Sequence, residues 1–158
     1  MQLTNTTSIP NEKLRLIIRT VRPSGISNFD LMIKNSEGNN CCGRCYTRGS
    51  SYHYSTKPFI VIRIPKKQGN YPYTTYGGEG YIPFIILNKI EDVLYVIAHE
   101  LRHIWQSKIK KGYRVWGARG QFSERDADAY AIRKVREYRR NTNNSFIINP
   151  DILLKVSQ

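Results

Sequence analysis

Leu14, Ile17, Ile18 and Val21 recur at intervals of three and four within "SIPNEKLRLIIRTVRP", the spacing of one apolar helix face. Ser8 is the expected cap, Pro10 suits a first turn, and Pro23 with Gly25 ends the run. The rhythm then changes. "NFDLMIK", "RCYTR", "FIVIRI" and "YIPFIIL" are short β-branched or aromatic runs separated by Gly, Asn, Ser and Pro clusters, and they read as strands. Pro83 cannot donate to a central ladder, so the last run is expected at a sheet edge. Before it, "PKKQGNYPYTTYGGEG" reads as an exposed, mobile loop. The helical period returns with Ile90, Leu94, Ile97, Leu101 and Ile104, behind an Asn88 cap with Glu91 three residues on, and before Gly112 as a stop. Val96 and Ala98 make this helix apolar on a further side, as suits a helix under a cleft floor. After "GYRVWGARGQF", Ser123 with Asp126 opens a second long helix reaching about Arg140, and Asn149 with Pro150 opens a short last one, "PDILLKV". Neither an internal repeat nor a low-complexity stretch interrupts this order. A single α+β domain over residues 1–158 is expected, with a twisted, mostly antiparallel sheet packed on two long helices.

Charge adds a partner class. The formal net charge is +13, and twelve Lys or Arg fall between Arg102 and Arg140, ending in "RKVREYRR". Such an excess favours polyanions, nucleic acid first among them, although a solvated helix face gives the same pattern. No apolar run approaches the roughly 20 residues that span a membrane. The first residues have neither a basic start nor an apolar segment, so a cytoplasmic protein is expected, associated with nucleic acid or of viral origin. Cys41, Cys42 and Cys45 cluster in "NNCCGRCYTRG". An odd number argues against a disulfide framework. The CxxC spacing of Cys42 and Cys45, with His53 downstream, leaves a second metal site open, while reduced thiols in a turn and strand are the simpler expectation.

The candidate chemistry lies in "AHELRHIWQ" and "SERDADAYA". His99 and His103, four residues apart on one helix, can direct both imidazoles at one ion. Catalytic zinc takes a third protein ligand and keeps a position open for water. Glu124, twenty-one residues beyond His103, is the candidate for that ligand. Asp128, one turn further, could accept a hydrogen bond from a ligating imidazole and fix its tautomer. Glu100 is rotated about 100° from His99, where a general base for the attacking water belongs. Candidates for a second electrophile are Tyr113, Arg114 and Arg119 in the connector and Tyr130 beyond Asp128; Trp105 and Trp116 could line a substrate cleft.

"HELRH" matches HExxH, and "ERDAD" at this distance matches the ExxxD of the gluzincins, the thermolysin-like zinc peptidases. "CGRCYT" and "FIVIRIP" upstream, with the small size, resemble the compact SprT-like and ImmA/IrrE-like zincins. The motif-level match covers roughly residues 81 to 138. The resemblance implies zinc on His99, His103 and Glu124, catalysis by Glu100, and support from Asp128. SprT-like proteins place a histidine as third ligand, and His53 lies upstream of the motif, so a gluzincin-type shell is favoured.

The function these residues imply is zinc-dependent hydrolysis of peptide bonds. The metal cleft would lie between the edge strand and the ExxxD helix, with an extended peptide or protein substrate added along "YIPFIIL". The basic surface implies a protein target associated with nucleic acid. The alternative, from another class, is a basic nucleic-acid-binding or virion-associated protein on a zincin scaffold without proteolytic activity.

Overall fold

The computed structural model describes residues 1–47, 57–67, 69–75, 81–109 and 121–142. The expected Gly112 stop, the last helix from Asn149, and His53, Tyr113, Arg114, Trp116 and Arg119 lie outside these residues.

The fold is mixed α+β, and its sheet is not mostly antiparallel. Strands β1 (Gln2–Asn5), β2 (Asp30–Ser36), β3 (Cys42–Tyr46) and β4 (Phe59–Pro65) form one sheet in the order β1-β2-β4-β3. β1 and β4 both run parallel to β2, and only β3 runs antiparallel to its neighbour. The cause is β1, which sequence patterning does not reveal: "QLTN" has neither an apolar run nor an alternation strong enough to mark a strand. Its presence turns helix α1 (Asn11–Val21) into the crossover that two parallel strands require. α1 begins directly after Pro10, which has no side-chain capping bond, so Ser8 is not its cap. Leu14, Ile17, Ile18 and Val21 are buried as their spacing predicts.

Helix α2 (Lys89–Ile109) carries the HExxH sequence. Asn88 Oδ1 accepts from the backbone N–H groups of Ile90 and Glu91, 3.0 Å each, while Glu91 reaches back to Leu87 N–H instead of the cap residue. Helix α3 (Gln121–Asn141) starts two residues before Ser123 and packs against α2 more extensively than any other element does. Leu31 and Ile33 of β2, with Ile60, Ile62 and Ile64 of β4, form one core with α1 and α2. The helices therefore cover one face of the sheet.

Three expectations need correction. The run "YIPFIIL" is not an edge of the main sheet. Only Ile85–Ile86 is a strand, β6, and it pairs antiparallel with β5 (Tyr73–Thr74) in a separate two-stranded ribbon. The N–H groups of Ile82 and Phe84 are also taken, by Asp128 Oδ2 and Thr75 Oγ1. The stretch containing β5 is not wholly a free loop. The hydroxyls of Tyr71 and Tyr73 each donate to the buried Asp92 carboxylate at 2.7 Å, and the Cys41 N–H donates to the same group. Finally, Arg139 is not part of a solvated basic face. Its guanidinium bonds both oxygens of buried Glu91 and the carbonyl of Ile85, which ties α3 to the start of α2.

β3 is the strand that meets the HExxH helix. A Cβ on Gly43 would lie 2.5 Å from Glu100 Cγ and 2.8 Å from Val96 Cγ1, so this position faces α2 at a distance only glycine permits. Cys45 has the same parity and is partly buried against the core, whereas Cys42 points to the other face and is exposed. Side chains on opposite faces cannot share one ion, so the CxxC pair is not a metal clamp. All three cysteines are free thiols.

Candidate metal centre

His99 and His103 lie one turn apart on α2, and Glu124 stands in the first turn of α3. Their donor atoms converge. His99 Nε2 and His103 Nε2 are 3.0 Å apart, and Glu124 Oε2 is 3.1 Å from the first and 3.5 Å from the second. Zinc bound tetrahedrally at about 2.0–2.1 Å from nitrogen spaces its ligand atoms about 3.3 Å apart. The triangle has the size of one face of that tetrahedron.

The outer ring nitrogens decide what can sit inside it. His99 Nδ1 faces Asp128 Oδ1 at 2.9 Å, and a carboxylate only accepts, so Nδ1 carries hydrogen. His103 Nδ1 faces Gln106 Oε1 at 2.8 Å. The Gln106 amide nitrogen donates to the Ser123 carbonyl and to Asp126 Oδ2, which fixes its oxygen toward His103. With Nδ1 carrying hydrogen, a neutral imidazole turns the Nε2 lone pair inward, and two Nε2 atoms 3.0 Å apart need a proton or a cation between them. The carboxylate of Glu124 completes a set of three converging donors that could hold a metal ion.

On protons alone, the charge balance around these atoms puts the positive charge on His99. Burial pushes the His99 imidazole down, but its bonds to Asp128 and Glu124 and the field of Glu100 outweigh this, and it is raised to about 10. Burial alone would raise the Glu124 carboxyl, yet its contacts with His103 and His99 hold it well below the usual carboxylate range. Glu100 moves the other way. Burial pushes its carboxyl up, opposed by the fields of His99 and His103 and by a backbone hydrogen bond from Cys45. One carboxylate of the cluster is thus held firmly as an anion while another is made a better proton acceptor.

Glu100 is buried and held by β3 on two counts, the close approach of Gly43 and the bond from Cys45. Gly43→Ala is therefore expected to displace the Glu100 side chain, at a packing cost of about 1–3 kcal/mol. The melting temperature of the variant checks this, and an unchanged value would refute the close packing of this strand on α2.

Asp128 is buried and receives three donors: His99 Nδ1, the Tyr95 hydroxyl at 2.6 Å and the Ile82 N–H at 2.7 Å. Tyr81, next to Ile82, hydrogen-bonds Glu124. Burial, the charges of Glu124 and Asp128 and that bond push its phenol up to about 12. Sequence reasoning names neither Tyr81 nor Gly43 nor Gln106. Tyr130, which it does name, spends its hydroxyl on the Val21 carbonyl on the α1 side, 2.7 Å away. Trp105 lies under the Arg102 guanidinium, 3.6 Å from the ring centre, and lines a pocket with Arg22, Tyr130 and Arg133 that contains none of the three candidate ligands.

No protein-family model, curated protein or solved structure matches the chain. Its chemistry is read from its own residues.

Proposed function

We propose that this chain is a zinc-dependent endopeptidase with His99, His103 and Glu124 as metal ligands and Glu100 as general base. The observation that carries the reading is the pair of imidazole Nε2 atoms held 3.0 Å apart beside Glu124, with a buried Glu100 raised in proton affinity on the same helix. The gluzincin resemblance of "HELRH" and "ERDAD" supports it. Zinc held by these three side chains would polarise a peptide carbonyl and acidify the attacking water.

Glu100 accepts the proton of that water at its carboxylate and hands it on to the leaving amine. Asp128 keeps the His99 proton on Nδ1, and Gln106 does the same for His103, so that both Nε2 atoms stay free to bind. The Tyr81 hydroxyl, which donates to Glu124, is near enough to the ligands to turn to negative charge developing on the carbonyl oxygen. β3 touches Glu100 and, among the described residues, has one neighbour strand only, so an extended substrate would lie along its other edge. The basic composition favours a protein target associated with nucleic acid.

The test is purified chain, stripped of metal or loaded with one zinc, incubated with an unfolded protein, and the fragments read by mass spectrometry. Cleavage that appears only with zinc is the expected result. Stoichiometric zinc on His99 and His103 without any cleavage would leave the alternative, a basic binding protein that keeps the scaffold. Among the described residues no helix is long and apolar enough to cross a membrane.

A further inference from the structure

A pocket of about 290 Å³ is lined by Arg22, Arg102, Arg133 and Lys134 with Pro23, Ser24, Trp105 and Tyr130. Its walls come from three elements that are distant in sequence: the end of α1, the middle of α2 and the middle of α3. No carboxylate is among the lining residues. The two acidic groups nearest these cations sit behind them. Asp126 takes the Nε and one terminal N–H of Arg102, at 2.7 and 2.9 Å, and Glu137 pairs with Lys134 at 2.7 Å and more distantly with Arg133. Arg102 keeps the rest of its five N–H donors. It is also held flat, 3.6 Å over Trp105, so its fork has a fixed direction. Arg102, Arg133 and Lys134 all lie within 6 Å of the Tyr130 ring, at 5.2, 5.1 and 5.8 Å. The ring lets three cations gather where they would otherwise repel one another.

We infer that this pocket binds a phosphate group, and that its ligand is the phosphodiester backbone of a nucleic acid. Four cations facing one concavity, three of them backed by two carboxylates and one of these stacked on Trp105, leave a net positive site for multiple anionic oxygens. A lone carboxylate would not use so many donors. The volume is at the small end of ligand clefts, roughly 300–1,000 Å³, which suits a phosphate with its sugar and not a large apolar ligand. The net charge of +13 extends the attraction beyond one phosphate, as a polymer would exploit and a free anion would not. This inference does not depend on the peptidase reading, since no zinc ligand lines the pocket.

The experiment compares the full chain with Arg22→Gln/Arg133→Gln, a double variant of exposed pocket cations. Arg102 is left intact because it also anchors Asp126 and, through Gln106, His103. The control is Arg136→Gln/Arg140→Gln, which removes equal charge from exposed positions of α3 outside the pocket. Binding of a fluorescent single-stranded oligonucleotide is measured against salt, with pyrophosphate as competitor and thermal melting as the check on folding. The pocket variant is expected to bind at least ten-fold more weakly, with its salt slope reduced by about 1.4 for two lost phosphate contacts. The control should weaken binding less, and pyrophosphate should displace the oligonucleotide from wild type but lose effect on the pocket variant. Equal weakening in both variants means diffuse attraction to the basic surface and overturns the pocket. Tight pyrophosphate binding with no oligonucleotide binding overturns the nucleic-acid assignment and leaves a free-phosphate site.

Discussion

Glu100→Gln is expected to bind zinc as wild type does and to lose peptide hydrolysis by about 10²–10⁴-fold, the usual contribution of a positioned general base. Glutamine fills the space against Gly43 and keeps one oxygen to accept the bond from Cys45, so the packing of β3 on α2 survives. What disappears is the basic oxygen. Burial has already pushed the Glu100 carboxyl above its ordinary value, which brings its proton affinity closer to that of the groups it serves. A structural zinc site would have no use for such a residue, and the variant would then behave as wild type in every assay. The measurement is zinc content by atomic absorption beside turnover on an unfolded protein. Full hydrolysis by the zinc-loaded variant would refute the mechanism, and loss of zinc would show that Glu100 supports the metal instead.

The site was legible where it is local and hidden where it is not. The shared face of His99 and His103 follows from a four-residue spacing on α2, and that of Glu124 and Asp128 from the same spacing on α3. Those relations are set by helix geometry alone. Gly43, Tyr81 and Gln106 reach the site through tertiary packing. Gly43 arrives on β3 from more than fifty residues upstream, and nothing in "CGRC" marks it as the floor under Glu100. Gln106 looks like one more polar position on a helix until its amide is seen joining His103 to Ser123 and Asp126. The fold was obscured by a similar cause. Apolar rhythm exposes β2, β4 and the three helices, because each buries a face, but β1 has a polar sequence and is recognisable only from its pairing with β2. Without β1, α1 cannot be read as a crossover, and the sheet seems antiparallel. "RKVREYRR" misled in the opposite direction. Charge counting treats its arginines alike, whereas Arg139 turns inward to buried Glu91 and Arg136 and Arg140 stay exposed.

Glu124→Ala should lose most of its zinc and all of its activity, while Asp128→Asn should keep the metal with affinity or turnover reduced about 10- to 100-fold. Both carboxylates lie on one face of α3, and spacing favours Glu124, which has the longer side chain and stands in the first turn. Their surroundings differ. A single oxygen of Glu124 lies 3.1 Å from His99 Nε2 and 3.5 Å from His103 Nε2, facing the inward lone pairs of both rings. Asp128 meets the opposite edge of His99, at Nδ1, and its two oxygens are filled by that ring, by Tyr95 and by the Ile82 N–H. Oδ1 already takes two donors and Oδ2 is held by the Ile82 N–H, so the group cannot swing to the inner nitrogens without breaking those bonds. Asparagine would keep one accepting oxygen and set an NH₂ group against one of the three donors, which loosens the ring and the Tyr81–Ile82 segment without removing a ligand. Zinc content of the two purified variants decides between them. Metal-free Asp128→Asn beside fully loaded Glu124→Ala would reverse the assignment and end the gluzincin resemblance at its third ligand.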